Sequence, residues 1–203
     1  MIVTPPAARP AAPPAARPPQ ARAARRRALH LLGAASLVAL TAGEAGAWVP
    51  SYSIADLTSL SSQVVVGTIV DSRAAWEDWP DGGRAILTTF SVRTDQVWKG
   101  APGLAAGEVI DVVVPGGQVG GDRVFASCAP AVTVGQEAVL FLKKDLQGLP
   151  RYWVFGLERG VFDLDASGMA KPQVPDLPLL SLESLKQEVT LAAATGIPGP
   201  NGR

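Results

Sequence analysis

Two stretches in the middle of the chain show the hydrophobic pattern of β-strands. Val64–Val70 is a run of mainly β-branched apolar residues, a composition that favours strands. Ala85–Trp98 alternates between apolar and polar residues, which is typical of a strand with one buried face. The predicted buried face holds Ile86, Phe90, Val92 and Trp98, and the predicted exposed face holds Thr89, Ser91, Arg93 and Asp95.

Further along the chain, short apolar runs separated by turn residues predict more strands. Val109–Val114 alternates, and Pro115-Gly116-Gly117 ends it because proline has no N–H to donate. Ala138–Leu142 is apolar throughout, as expected of a central strand. Tyr152–Phe155 and Val161–Leu164 are predicted to pair with each other. About six short strands predict a mainly β fold, a small closed or partly closed barrel of the OB type.

One helix is predicted before these strands and one after them. Ser53 and Asp56 fit a capping box, in which two side chains accept hydrogen bonds from free N–H groups at a helix start. A short helix over Ile54–Ser61 is therefore expected. Ser181 is the predicted cap of the second helix, and Gly196 ends it. The apolar side of this helix, which we expect to pack on the barrel, carries Leu182, Leu185 and Val189.

The stretch from Arg25 to Ala47 has the pattern of an export signal. Three arginines precede an apolar run over Leu29–Ala42, and a small-residue site predicts cleavage between Ala47 and Trp48. The apolar run is too short to span a bilayer, so contact with the membrane is expected only during export. The paired arginines Arg26-Arg27 leave both the Sec and the twin-arginine route open. The predicted location is secreted or periplasmic.

Composition divides the chain into four parts. Residues 1–24 are almost entirely proline, alanine and arginine and cannot bury enough apolar surface to order themselves. The export signal occupies 25–47, and the OB-like barrel is predicted over 48–165. Residues 166–203 are predicted to hold a proline-rich connector and the second helix.

The charge balance of the exported part argues against nucleic acid as a partner. Residues 1–47 hold six arginines and one glutamate of the chain's 18 basic and 18 acidic residues. This leaves 12 basic and 17 acidic residues, a net charge of −5, for residues 48–203. Binding to a phosphate backbone depends on lysine and arginine, so an acidic domain is poorly suited to it. We expect a monomer.

The residues that remain after cleavage narrow the possible chemistry. Removal of the signal also removes His30, the only histidine, so Ser-His-Asp triads and histidine-ligated metal sites are not expected. Cys128, the only cysteine, has no histidine to activate it and is predicted to be a partly buried apolar residue. We therefore predict a protein that is not an enzyme and has neither a cofactor nor a metal.

Four short motifs carry a family resemblance. They are Val64-Val65-Val66-Gly67-Thr68, Val97-Trp98-Lys99-Gly100, Pro115-Gly116-Gly117 and Gly135-Gln136-Glu137-Ala138-Val139-Leu140-Phe141-Leu142. The set resembles a diffuse group of exported bacterial domains and implies an OB-like barrel over residues 53–165. The predicted architecture is also similar to netrin-like domains and to tissue inhibitors of metalloproteinases. Those inhibitors present an N-terminal cysteine to the protease zinc, whereas the end predicted here begins with Trp48.

The segment from Trp76 to Arg84, between the first two predicted strands, is the candidate binding site. In OB-type barrels this loop is one of the usual places for ligands. Tryptophans offer flat apolar faces, and carboxylates accept hydrogen bonds or hold a hard cation. Asp81-Gly82-Gly83 also fits an ordinary hairpin turn, so a purely structural role stays open. The candidate ligand-binding residues are Trp76, Glu77, Asp78, Trp79, Asp81 and Arg84.

Three functions are compatible with these features. The first is an exported, non-catalytic OB-like domain that binds an extracytoplasmic protein, a peptide or a glycan. The second is an inhibitor of an extracellular protease, and the third is a hydrolase that uses only the carboxylates of Glu77, Asp78 and Asp81. The glycine-rich segment 116–122 lacks the Gly-Lys-Ser/Thr ending of a phosphate-binding loop and is predicted to be a flexible connection.

Overall fold

The structure, a computed structural model, describes residues 51–78, 83–100 and 104–196. The extension 1–24, the export signal with its cleavage site Ala47–Trp48, and the candidate residues Trp79 and Asp81 lie outside the described residues. Within the described ranges the prediction of a mainly β fold is confirmed, because one large sheet is accompanied by two α-helices.

The described elements follow one another in a simple order along the chain. They are α1 (Ile54–Leu60), β1 (Gln63–Asp78), β2 (Arg84–Lys99), β3 (Val109–Pro115), β4 (Gly117–Val119), β5 (Asp122–Val124), β6 (Glu137–Lys144), β7 (Arg151–Val154), a 3₁₀ turn (Leu157–Gly160), β8 (Val161–Leu164), β9 (Met169–Pro172), β10 (Leu180–Ser181) and α2 (Leu182–Thr195).

The large sheet is built around three consecutive antiparallel strands, β1, β2 and β3. β3 pairs in parallel with β7, and β7 pairs antiparallel with β6. β6 also pairs antiparallel with the first part of β1, over Gln63–Thr68. β8, β9 and β10 extend the sheet from β6, while β4 and β5 form a separate two-stranded hairpin.

Strand β6 and the first part of β1 are apolar on both faces because each face is covered. Side chains alternate along a strand, so Val65 and Ile69 of β1 enter one buried cluster while Val64 and Val66 enter another. The first cluster lies among the strands and includes Phe90, Val92, Ile110, Val112, Val114, Ala138, Leu140 and Leu142. The second lies under the helices and includes Ile54, Leu57, Val139, Phe141, Phe162, Leu185 and Val189.

Helix α1 is capped at both ends. The predicted capping box is confirmed: Ser53 Oγ accepts from the N–H of Asp56 at 3.1 Å, and Asp56 Oδ2 accepts from the N–H of Ser53 at 3.0 Å. At the other end, the Lys99 ammonium donates to the carbonyls of Thr58 at 2.6 Å and Ser61 at 2.8 Å. A cation at the negative end of a helix is favourable, so β2 and α1 stabilise each other.

Helix α2 also follows the prediction. Ser181 Oγ accepts from the N–H of Ser184 at 3.1 Å, and Gly196 ends the helix with φ 56°. Leu185 and Val189 are fully buried against the sheet and α1. The connector predicted before this helix is partly wrong, since β9 and β10 lie within it and belong to the large sheet.

The β1–β2 hairpin is longer than the sequence pattern indicates. The loop predicted from Trp76 to Arg84 is wrong in its bounds, because Trp76, Glu77 and Asp78 end β1 and Arg84 begins β2. The apolar run stops near Val70 because β1 then leaves the two buried clusters. Its second half pairs with β2 alone among the described strands, so its backbone hydrogen bonds continue where its own side chains are no longer buried.

Two other strand predictions are wrong. Trp98 packs with the cluster under the helices and not with Phe90 and Val92, because register shifts in the β1–β2 pairing reverse the alternation near the end of β2. Strands β7 and β8 both pair with β6 and not with each other. Gly156 and Leu157, at φ 75° and 57°, lead into the 3₁₀ turn, which carries the chain along β6 without reversing it.

The glycine-rich segment 116–122, predicted to be a flexible connection, instead contributes to two strands. It forms β4 and the start of β5, with Gly120 at φ 59° in the turn between them. A Cβ on Gly117 would lie 2.4 Å from Thr88 Oγ1, so β4 packs closely on β2.

Candidate functional site

The end of the β1–β2 hairpin lies against the loop that joins β6 and β7. Arg151 Nη1, at the start of β7, donates to Glu77 Oε2 at 2.5 Å. Alternation along β1 puts Arg73 on the same face as Glu77, and Arg73 Nη2 donates to Asp111 of β3 at 2.7 Å. Two ion pairs therefore attach the half of β1 that lies beyond the hydrophobic clusters to β3 and β7.

Asp145 is the buried centre of this arrangement. Its side chain is 2% exposed, and Oδ2 accepts from Arg151 Nε at 2.9 Å and from Trp153 Nε1 at 2.8 Å. Oδ1 accepts from the N–H of Gln147 at 2.8 Å. Burial opposes ionisation of Asp145, but the hydrogen bonds from Trp153, Arg151 and Gln147 together hold the pKa of this carboxyl below its ordinary value. Asp145 is therefore a carboxylate that organises the loop.

Arg151 joins the two acids. Burial disfavours its charge, but Glu77 and Asp145 outweigh burial and raise the pKa of Arg151. The guanidinium carbon also lies 5.8 Å from the centroid of the Trp153 ring, within the range of a cation–π contact. The positions of the guanidinium and the indole are set by several interactions at once, which makes this part of the surface preorganised.

A largely apolar cleft of about 330 Å³ opens beside this network. We call it the Arg151 cleft. Its size is that of a small-ligand pocket. Residues from the β1–β2 hairpin, from β6 and β7, and from the turn after β7 line it: Asp78, Leu87, Lys143, Lys144, Asp145, Leu146, Gln147, Arg151, Trp153, Val154, Phe155, Gly156 and Leu157.

Some charged side chains around the Arg151 cleft form ion pairs, and others do not. Lys143 Nζ lies 5.4 Å from the centroid of the Phe155 ring, and neither Lys143 nor Lys144 forms an ion pair with an acid among the residues that the structure describes. Asp145 is held by Arg151, whereas the ion pair of Asp78 within the described residues is a 3.5 Å contact with Arg84 at the surface. The cleft therefore presents two lysines without an ion pair among the described residues, together with one loosely paired acid, Asp78.

A second hollow, of about 800 Å³, shares Lys144, Asp145 and Arg151 of the β6–β7 region with the Arg151 cleft. Gln63, Glu108, Asp111, Lys144 and Tyr152 line it together with apolar residues. It also reaches Leu104, next to residues 101–103, which lie outside the described ranges. Its lining is more polar than that of the Arg151 cleft, which is therefore the better candidate for an apolar ligand.

The structure separates the residues that the sequence placed in one binding loop. Glu77 is bonded to Arg151, and Asp78 lines the Arg151 cleft. Trp76 lies on the opposite face of β1, is 39% exposed, and has the Arg84 guanidinium 5.7 Å from its ring centroid. Trp76 and Arg84 do not line the cleft.

Sequence reasoning missed the residues that complete the site. The candidate site residues that the sequence predicts do not include Lys143, Asp145, Arg151 or Trp153. A signal was present: Gly148 and Pro150 mark a turn between two strands, and Arg151 and Trp153 alternate onto one face. The contact with Glu77 could not be found in this way, because it joins residues that are 74 positions apart in the sequence.

The chain has no match among models of known protein families, and no curated protein is found to be similar to it. The resemblance of the four motifs to exported bacterial domains therefore stays a prediction. Neither α1 nor α2, the α-helices of the described residues, is long and apolar enough to cross a membrane. Within residues 51–78, 83–100 and 104–196, no three acids, histidines or cysteines are grouped as a metal site would require.

Proposed function

We propose that this protein is an exported, non-catalytic binding domain of the OB type, with the Arg151 cleft as its ligand site. The ligand is part of an extracytoplasmic protein or peptide. The observation that carries the proposal is the convergence of the β1–β2 hairpin and the β6–β7 loop on one apolar cleft. The half-buried Glu77 and Arg151 and the buried Asp145 form a network beside it.

The order of strand pairing supports the OB assignment. The pairings run from β1 through β2, β3, β7 and β6 and return to β1, with β3 and β7 as the parallel pair. In an OB barrel the loops between the first and second strands and between the fourth and fifth strands form the ligand surface. In this chain those loops are the β1–β2 hairpin and the β6–β7 loop.

The properties of Asp145 and Glu77, the acids beside the cleft, support a binding function over a catalytic one. A carboxylate hydrolase needs one acid whose pKa is raised so that it can donate a proton. The pKa of Asp145 is shifted in the opposite direction, and the Glu77 carboxylate is committed to Arg151. These groups fix the shape of the cleft.

Binding at the cleft can be tested by affinity capture from the host envelope with the full chain as bait. Lys143→Glu and Leu146→Asp change cleft residues whose side chains are exposed, so we expect the fold to be retained. Lys186→Glu and Leu191→Asp are matched controls on the exposed face of α2. We expect the same partner with the wild type and both controls and its loss with the cleft variants. A partner retained by both cleft variants would place the site elsewhere.

The prediction of export is tested separately from the prediction of binding. The intact mass of the protein recovered from outside the host cytoplasm should correspond to a chain that begins at Trp48. Replacing Arg26 and Arg27 by lysine should block export only if the twin-arginine route is used. Recovery of a chain that retains residues 1–47 would contradict the cleavage prediction.

A further inference from the structure

The Arg151 cleft has two properties that together restrict its ligand. Its walls are apolar, formed by Leu87, Val154, Phe155 and Leu157, and Leu146 stands at its mouth with 90% of its surface exposed. An exposed leucine beside a hydrophobic cleft loses unfavourable contact with water when an apolar group covers it. The cleft is therefore suited to one large apolar group.

The second property is a pair of lysines at a cleft whose lining also holds the acids Asp78 and Asp145. Residues 48–203 carry a net charge of −5, yet Lys143 and Lys144 stand at the cleft without an acidic partner among the described residues. Lys143 extends over the Phe155 ring, so its ammonium lies at the edge of the apolar wall. A ligand that places a carboxylate there gains a charge-assisted hydrogen bond.

Features of Trp153 argue against a glycan in this cleft. Sugars stack on open aromatic faces and need several hydrogen-bonding groups around them. The indole N–H of Trp153 is already bonded to Asp145, and the Arg151 guanidinium lies against the ring. The polar groups closest to the tryptophan are thus used within the protein.

We propose that the Arg151 cleft binds the C-terminal residue of a polypeptide, with a large apolar side chain between the walls and the α-carboxylate on Lys143. An apolar residue with a free α-carboxylate carries both required groups within a few bonds of each other. Capture of a terminal carboxylate is a recurring mode of peptide recognition. This inference rests on the proposed function and specifies the partner of the same cleft.

The test uses fluorescein-labelled hexapeptides of the sequence Gly-Ser-Gly-Ser-Gly-Phe, one with a free C-terminal carboxylate and one with a C-terminal amide. Fluorescence anisotropy measures their binding to the full chain, to Lys143→Gln and to the matched control Lys186→Gln. We expect the acid to bind about tenfold more tightly than the amide, a difference of about 1.4 kcal/mol. Lys143→Gln should remove this preference, and Lys186→Gln should keep it. Octanoate, added as a competitor, should displace the peptide only weakly.

Other results would overturn the proposal. Equal binding of acid and amide, with both lost in Leu146→Asp, would refute the carboxylate contact and leave the cleft as a binding site. Octanoate binding more tightly than the peptide acid would identify a free aliphatic acid as the ligand. If neither peptide binds, the C-terminal assignment is wrong, and the envelope capture decides the proposed function independently.

Discussion

Arg151 and Glu77 are 74 residues apart in the sequence, yet Nη1 of the arginine lies 2.5 Å from Oε2 of the glutamate. The pair connects the end of the β1–β2 hairpin to the start of β7, and the arginine side chain is 14% exposed. Hydrogen bonds to charged groups that are shielded from water are stronger than those on open surfaces. This contact therefore fixes one wall of the Arg151 cleft relative to the other.

Glu77→Gln should destabilise the protein by about 1–3 kcal/mol, because the amide keeps the shape of the side chain but loses its charge. Urea denaturation at neutral pH measures the effect. Asp78→Asn is the matched control, since Asp78 is 91% exposed and its contact with Arg84 is 3.5 Å long. That change should cost less than about 0.5 kcal/mol. Equal effects of the two substitutions would show that the Glu77–Arg151 pair contributes nothing beyond general surface charge.

The contribution of Asp145 should depend on pH. The pKa of Asp145 is lower in the folded protein than in the unfolded chain, so its stabilising effect is complete above about pH 4 and is lost as the pH falls through the folded value. Asp145→Asn removes this contribution. The difference in unfolding free energy between wild type and variant should therefore be largest near pH 7 and shrink towards about pH 3. A difference that stays constant over this range would contradict the assignment.

Lys99 should support the fold through the end of α1. Its ammonium donates to the carbonyls of Thr58, Ser59 and Ser61, and Lys99→Met leaves these acceptors without their donor. A loss of about 1–3 kcal/mol is expected from thermal or urea unfolding. Lys186→Met on the exposed face of α2 is the control and should change stability by less than about 0.5 kcal/mol. Similar losses in both variants would refute the capping role.

Gly67 should not tolerate a side chain. A Cβ at this position would lie 2.7 Å from both the Arg93 carbonyl oxygen and Val92 Cγ1. Gly67→Ala should therefore cost about 1–3 kcal/mol through overpacking between β1 and β2. Gly121→Ala has nothing within 4 Å of its Cβ and provides a control in the β4–β5 turn. Chemical denaturation of both variants tests the prediction, which fails if Gly67→Ala is as stable as the control.

Much of the fold was predictable because it depends on local patterns. The capping box of Ser53 and Asp56 and the cap at Ser181 were correctly predicted, since the bonds they make span three residues. The apolar runs of β1 and β6 were recognised because burial on both faces leaves a continuous hydrophobic signal. Trp98 was assigned to the wrong face because a register shift depends on the partner strand and leaves no trace in the alternation of one strand.

Only part of the site could be predicted, because some of its contacts join residues that are far apart in the sequence. Local sequence identified the β1–β2 segment and its acids, and the composition alone showed that residues 48–203 are acidic and hold no histidine. Tertiary structure decided that Glu77 faces Arg151 while Trp76 faces away, and that Lys143 lies beside an apolar cleft. Contacts between residues so far apart depend on how the strands pair and curve, which no local pattern of hydrophobic and polar residues specifies.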